Sequence, residues 1–475
     1  MSQRKENILL LVSVAIAACL LVSGGWLLVR GAKFIRPLIE PGNPDESVKN
    51  RISFGEKFLV QKEEIGAEVA DFRAAKQRGA SAMAAGNYEE AARNFEEAMR
   101  KYTNAPETLI YLNNALVGDK KTYTIAVVVP ISLDLGAAMA ILRGVAQAQS
   151  EINEAGGING VPLKVAIANS NEDPKITKQV ASALVKNQKI LGVVGHDTST
   201  ATLAAVPVYD SGKLPVVSGT ASSVKLSGSS PYFFRTVSTT YVGGRALANY
   251  MLNRLQRSNV AVFMDQSGIS QSLKSEFATA VSLGGGEVVA EFDLSDPDFT
   301  AAQSIKKAIE RGAEALMLTP SFDSFDKALQ VVTVNQKRLP TIGDMGLMYH
   351  LKTLEVGRGD AVGMVMAIAW HIDGNLNSDF PRRSRQLWDA DVNWVTATVY
   401  DATQALIEAL KRSPTRQGVQ QALLDPDFEA TGATGKIRFL PSGDRNGPVQ
   451  LVEIREANPS RSGTGYDFVP IPPIP

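Results

Sequence analysis

The sequence predicts an α/β protein whose main body is two doubly wound parallel-sheet lobes, preceded by a transmembrane helix and a short α-helical segment. Three observations carry this. From Tyr123 onward, short β-branched runs alternate with longer patterns of period near 3.6, which implies strands joined by right-handed helical crossovers with helices on both faces. Beyond "FFRTV" the alternation restarts, which implies a second sheet. Between Ile8 and Val29 twenty-two residues pass without a charge, and a helix of that length spans about 33 Å, against about 30 Å of bilayer hydrocarbon.

The totals narrow the chemistry. A chain of 475 residues exceeds one hydrophobic core and implies two or three domains. Lys plus Arg and Asp plus Glu both number 49, so no basic field exists to hold nucleic acid. Three His and one Cys build neither a metal cluster nor a disulfide, and no cofactor is expected. Oxygen ligands, backbone amides and shape remain.

Taken in order, residues 1–30 read as the anchor. Arg4 and Lys5 precede it and Arg30, Lys33 and Arg36 follow it, which leaves the positive-inside rule undecided and does not bar translocation of a large domain. The reading places the N-terminus inside and the bulk of the chain outside. "IAAC", Ile16 to Cys19, resembles the lipobox of bacterial lipoproteins and offers lipidation of Cys19 as an alternative tether. Residues 31–73, rich in Pro and charge, read as a linker. In 74–118, Gly79, Ala82, Gly86, Tyr88, Ala91, Phe95 and Ala98 resemble one tetratricopeptide (TPR) repeat, "PETLIYLNNAL" looks like the first helix of another, and Gly118 ends it. One and a half repeats form no binding groove, so a structural spacer is expected.

In the body, "TIAVVVP" reads as a buried strand, "GAAMAILRGVAQAQSEINEAG" as a helix and "LKVAIANS" as a strand. A helix at Pro174–Asn187, strand "ILGVVG", a helix from about Ser199 to Tyr209 and strand "PVVSG" follow. After the restart come helix "GGRALANYMLNRLQ", strand "NVAVFM", helix "SQSLKSEFATAVSL", strand "EVVAEF", helix "FTAAQSIKKAIERG", strand "EALMLTP", helix "FDKALQVVTVNQ" and strand "PTIGD". In "INEAGGINGVP", Gly156 and Gly157 supply a left-handed helix stop and Asn159-Gly160 turns the chain into the next strand.

The colinear stretches "YTIAVVVPISLDLGAAMAILRGVAQAQSEINEAGGINGVPLKVAIANSNEDP", "ILGVVGHDTSTATLAAVPVYDSGKLPVVSGTASSVKLSGSSPYFFRT", "GGGEVVAEFDL", "TVYDATQAL" and "TGATGKIRFLPSGDR" are similar to type I periplasmic binding proteins of the branched-chain amino-acid (Leu/Ile/Val-binding) ABC-transporter class. The resemblance implies a bilobed domain over 123–457, with lobe one at 123–237 and 369–430 and lobe two at 238–368 and 431–457. A three-strand hinge would join them, with "VGMVMAIAW" and "TGKIRFL" near the crossings. The Pro-rich tail 458–475 is expected to be extended.

The resemblance also places a site. Unsatisfied amides at a helix start and Ser or Thr hydroxyls suit an anionic or oxygen-bearing group. By position Ser199 falls on the family's carboxylate-binding serine, flanked by Thr198 and Thr200, and Ser222 on a family threonine, with Ala221 beside it. Departures are equally plain. The family's ammonium-binding Asp is Thr240, its lobe-two tyrosine is Ile269, and its later acid aligns near Met345, where the adjacent Asp344 is the candidate substitute. A buried ammonium needs a paired carboxylate, so the fold transfers more securely than an α-amino-acid ligand.

Other patterns fall away. His196, Asp197 and Ser199 share one short loop, poor geometry for a hydrolytic triad. "GATGKI" lacks the glycine spacing and hydroxyl of a phosphate loop. His350, His371 and Trp370 are scattered, and Glu89, Glu90, Glu96 and Glu97 with Arg93 and Arg100 read as a solvated helix face. The expectation is a membrane-tethered, non-enzymatic solute-binding protein that captures a small polar ligand, an amino acid or a related amide or carboxylate, and presents it to ABC permease subunits. A sensor or scaffold using the same domain without transport is the alternative.

Overall fold

The computed structural model describes residues 48–61, 69–374 and 378–472. The expected anchor at Ile8–Val29, with Cys19, lies outside them. Among the described residues no helix is long and apolar enough to cross a membrane.

Lobe one is built on strands β1 (Ile52–Ser53), β2 (Tyr123–Val129), β3 (Leu163–Asn169), β4 (Ile190–Val194), β5 (Val216–Ser218) and β6 (Phe233–Arg235), in the order β1-β3-β2-β4-β5-β6. All pairings are parallel except β1 with β3. β2 is buried from Thr124 to Val129, as a β-branched run covered on both faces must be. Strand alternation divides it. Ile125, Val127 and Val129 share a core with Ile141, Leu142 and Leu406, whereas Ala126 and Val128 join Val180, Leu184 and Tyr209 on the other face.

The helical segment before β2 comprises α1 (Val69–Ala84), α2 (Tyr88–Lys101) and α3 (Pro106–Val117). Phe95 is wholly buried, and a Cβ at Gly79 would sit 2.6 Å from its ring, so the small residue sets the helix spacing. This segment is not a detached spacer. Phe95, Ile110 and Tyr111 belong to the same core cluster as Ile141 and Leu163. Within the stretch expected as linker, β1 extends the lobe-one sheet, and Leu59 and Val60 donate their N–H groups to Glu107 at 2.6 and 3.2 Å. Glu107 in turn pairs with buried Lys76 at 2.9 Å.

Around the sheet lie α4 (Leu135–Glu154), α5 (Pro174–Lys186) and α6 (Ser199–Ser211). The turn after α4 has φ of +93° at Gly156, +85° at Gly157 and +50° at Asn159, as a left-handed helix stop followed by a tight turn requires. Lobe two holds α7 (Thr240–Asn249), β7 (Asn259–Met264), α8 (Gly268–Leu283), β8 (Glu287–Asp293), α9 (Ala301–Glu310), β9 (Ala315–Thr319), α10 (Phe325–Asn335), β10 (Thr341–Ile342), α11 (Leu351–Gly357) and β11 (Val365–Ile368). The chain then returns to lobe one for α12 (Phe380–Trp388), α13 (Trp394–Arg412), α14 (Arg416–Leu424) and the hairpin β12 (Ala430–Gly432) and β13 (Gly435–Ile437). It ends in lobe two with β14 (Gln450–Glu456) and β15 (Tyr466–Pro470), giving the sheet order β15-β14-β11-β10-β9-β7-β8.

One boundary differs from expectation. The hairpin and the loop after it stay with lobe one because Asp401 of α13, buried, accepts from Ala433 N at 2.6 Å and from Arg445 Nη1 at 2.9 Å. The last crossing therefore lies between Arg445 and Gln450, not at 430/431. In the tail, residues 466–470 form an extended strand that pairs antiparallel with β14.

Candidate functional site

In open parallel sheets ligands sit beyond the carboxyl ends of the strands. Here the loops after β3, β4 and β5 of lobe one face those after β7, β9 and β10 of lobe two, and together they enclose a cavity of ≈ 380 Å³. Ser199 and Thr200 open α6 on one wall, and Gly268 and Ile269 open α8 on the other. A Cβ on Gly268 would lie 3.9 Å from Thr200 Oγ1, so the two helix starts nearly meet.

Seven of the eight expected residues line the cavity: Thr198, Ser199, Thr200, Ser222, Thr240, Ile269 and Asp344. Ser199 Oγ accepts from Ser223 N at 3.2 Å, which leaves its O–H free to donate. Among the described residues Ser222 Oγ forms no protein hydrogen bond. Thr198 is the N-cap of α6, accepting from Ala201 N at 3.2 Å while its own O–H donates to Glu172.

Two expectations are corrected, at Ala221 and at Asp344. Ala221 does not face the cavity; it is buried in the core with Leu226 and Phe233, its carbonyl bound by Arg235, while its neighbour Thr220 turns outward into the cleft. Thr240 Oγ1 shares a hydrogen bond with Ser272 Oγ at 2.8 Å, in which either hydroxyl can donate. Asp344 does not replace the missing acid, because its carboxylate accepts from Gly346, Leu347 and Met348 N–H at 3.2, 3.2 and 2.8 Å and so caps its own loop.

Lining residues not anticipated include Glu172, Thr220, Leu133, Phe322 and Trp394. Glu172 follows the end of β3 in "SNEDP", so the rule that strand ends of a parallel sheet converge on the ligand could have found it. It accepts from Thr198 N at 2.8 Å, Thr198 Oγ1 at 2.7 Å, Ser170 Oγ at 3.3 Å and Asp197 N at 3.4 Å. Burial raises its pKa, and those donors oppose the rise. Asp197 has no comparable set of donors; burial, then the charges of Glu172 and Asp134, push its carboxyl up to about 8, opposed by the Thr220 hydroxyl. The donors gathered on Glu172 keep the negative charge there and leave the proton on Asp197.

His196 is no member of a triad. Its Nε2 bonds Tyr209 OH at 3.0 Å, and burial lowers its pKa to about 3, so the ring is neutral. His350 caps α11 through Nδ1, and His371 accepts from Asp373 N. Among the described residues no group of His, Cys, Asp and Glu is arranged to hold a metal ion.

Comparison with known proteins agrees with this architecture. Residues 122–460 match the family model described as periplasmic binding protein. An "amino acid binding protein" of Pseudomonas aeruginosa is 32% identical over 177 residues, 37% of this chain and 47% of the relative. The chain thus spans about half the length of that curated relative. The "leucine-specific-binding protein" of Salmonella typhimurium is 24% identical over 316 residues, 64% of this chain and 83% of its own. Among solved structures, an ABC transporter substrate-binding protein from Desulfitobacterium hafniense in complex with Leu superposes with a TM-score of 0.63 at 20% identity, covering 74% of this chain and 100% of that one. The fold is that of ABC-transporter substrate-binding proteins, a class named for binding solutes, and the family suggests an extracytoplasmic location. By its match over residues 122–460 and its two-lobed architecture, the chain belongs to the periplasmic binding protein family.

Proposed function

We propose that this chain is a membrane-tethered solute-binding protein that captures a small polar ligand, an amino acid or a related amide or carboxylate, between its two lobes and presents it to ABC permease subunits. The observation that carries the reading is the ≈ 380 Å³ cavity into which Ser199 and Ser222, from two adjacent strand ends, present hydroxyls beside the start of α6. A cavity of that size suits a small molecule. The tether rests on the uncharged run Ile8–Val29, with lipidation at Cys19 as its alternative form. The relatives' names, amino acid binding and leucine-specific binding, support the broad ligand class.

A second reading, a sensor or scaffold without transport, draws support from α1–α3, whose spacing resembles a tetratricopeptide repeat and whose core is continuous with lobe one. A thermal-shift panel of amino acids, amides, urea and short peptides tests the capture reading. A ligand at a hundred times its dissociation constant adds about 2.7 kcal/mol of stability. Silence across the panel favours the scaffold.

A further inference from the structure

Every formal charge in the cleft is already matched within the protein. Among the described lining residues there is no Lys, Arg or His. Of the acids, Glu172 receives four donors and Asp344 three backbone N–H groups. Asp265, behind the lobe-two wall, is likewise engaged by Ser267 N at 2.9 Å and Ser321 N at 2.6 Å. Thr240 and Ile269 contribute no charge, and Thr240 Oγ1 shares a hydrogen bond with Ser272 Oγ.

A ligand ammonium enclosed here would meet no free carboxylate on lobe two. A ligand carboxylate at the α6 start would lie beside Glu172, which already occupies the N–H groups of Asp197 and Thr198. Burying an uncompensated ion of either sign costs several kcal/mol. What the walls do offer is neutral: the hydroxyls of Ser199, Thr200 and Ser222, and apolar side chains; the Thr220 hydroxyl is spent on the Asp197 carbonyl at 2.7 Å. Leu133 and Phe322, from opposite lobes, are 66% and 64% exposed at the cavity, large apolar surfaces that a ligand body can cover.

We infer that the cleft selects an uncharged ligand, a primary amide or similarly neutral donor–acceptor group on an apolar body, and discriminates against α-amino acids, amines and free carboxylates. The inference rests on the proposed capture of a solute in this cleft and names its class. Asp197, facing Glu172, Asp134 and Thr220, serves such a ligand as a neutral O–H donor while it holds its proton.

The test is isothermal titration of the full-length chain in detergent with two isosteric series: 4-methylpentanamide, 4-methylpentanoate, 3-methylbutylamine and leucine, then benzamide, benzoate, benzylamine and phenylalanine. In at least one series the amide binds tenfold or more tightly than its charged counterparts. Its affinity declines above pH 8, and in Asp197→Asn the affinity, at whatever level, is flat across that range. A charged member binding more tightly than its amide overturns the inference and leaves the capture reading standing. Binding by none of the eight overturns both.

Discussion

Among the described residues Arg235 is the fully buried guanidinium that ties the cleft wall to the hinge, and its replacement by methionine isolates that role. Nε and Nη2 hold Asp444 Oδ1 at 2.7 and 2.6 Å, Nη1 holds the carbonyls of Ala221 and Ser223 at 3.1 and 2.7 Å, and Nη2 also reaches Ser227 Oγ at 2.7 Å. Ser222 sits between the two held carbonyls. Methionine fills much of the volume but matches none of these groups. Breaking a buried pair while leaving its partner costs about 3–5 kcal/mol, and two orphaned carbonyls add on the order of 1 kcal/mol each where water cannot reach them. Asp444 keeps Ser442 Oγ at 2.8 Å and its side chain is 11% exposed, so the loss falls toward the lower part of that range. Read as hydrogen exchange of the β5 and β6 amides, about 3–5 kcal/mol is roughly two to four decades of lost protection. Arg235→Lys keeps the charge without the planar fork and recovers only part. A loss below about 1 kcal/mol in Arg235→Met would refute the claim that this network holds the Ser222 loop in place.

Two further outcomes follow from packing and charge. Gly144→Ala places a Cβ 2.6 Å from Thr396 O and 2.7 Å from Tyr400 N, backbone atoms of α13 that cannot swing aside, so thermal denaturation should show a loss of about 1–3 kcal/mol despite alanine's better helix propensity. Asp344, pushed by burial up to about 6, stays protonated in the folded chain where the unfolded chain has released its proton, so its contribution to stability falls as pH rises from about 4 through about 6. Urea titrations should therefore show Asp344→Asn gaining on the parent chain across that interval, and a constant difference would count against a buried, elevated carboxyl.

The alternation of strands and helices was legible because each β-branched run is covered on both faces and each helix carries an apolar stripe, as Ile125, Val127 and Ala126 illustrate from opposite sides of one strand. The site was legible only as positions. That Ser199 and Ser222 line a cavity follows from their place beyond strand ends, but Ala221 against Thr220 could not be decided from sequence, because the direction of a loop residue depends on what holds its backbone, here Arg235 and Ser218. The same limit applied to acids. Asp344 and Glu172 look equally available in the sequence; only the N–H groups converging on each reveal that neither charge is free.

The segments outside the family match, before residue 122 and after 460, do something that periodicity cannot announce: each closes a sheet edge. The outward backbone groups of β3 can be followed one by one. Leu163 is met by the Asn153 side chain, whose Oδ1 accepts from its N–H at 2.7 Å and whose Nδ2 donates to its carbonyl at 2.9 Å. Val165 is met in the same two-way manner by Asn114 of α3, at 3.0 and 2.7 Å. Beyond it, β1 pairs with Ile167 and Ala168, and Arg51 O takes the N–H of Asn169 at 2.9 Å. Two side-chain amides thus imitate a neighbouring strand where no strand runs, and a short real strand completes the row. In lobe two β15 does the equivalent for β14, while the other edge, β8, carries Glu287, Glu291 and Asp293, charges that discourage pairing with another chain. The helical layer and the tail are therefore parts of the lobes' edge protection as much as additions to them.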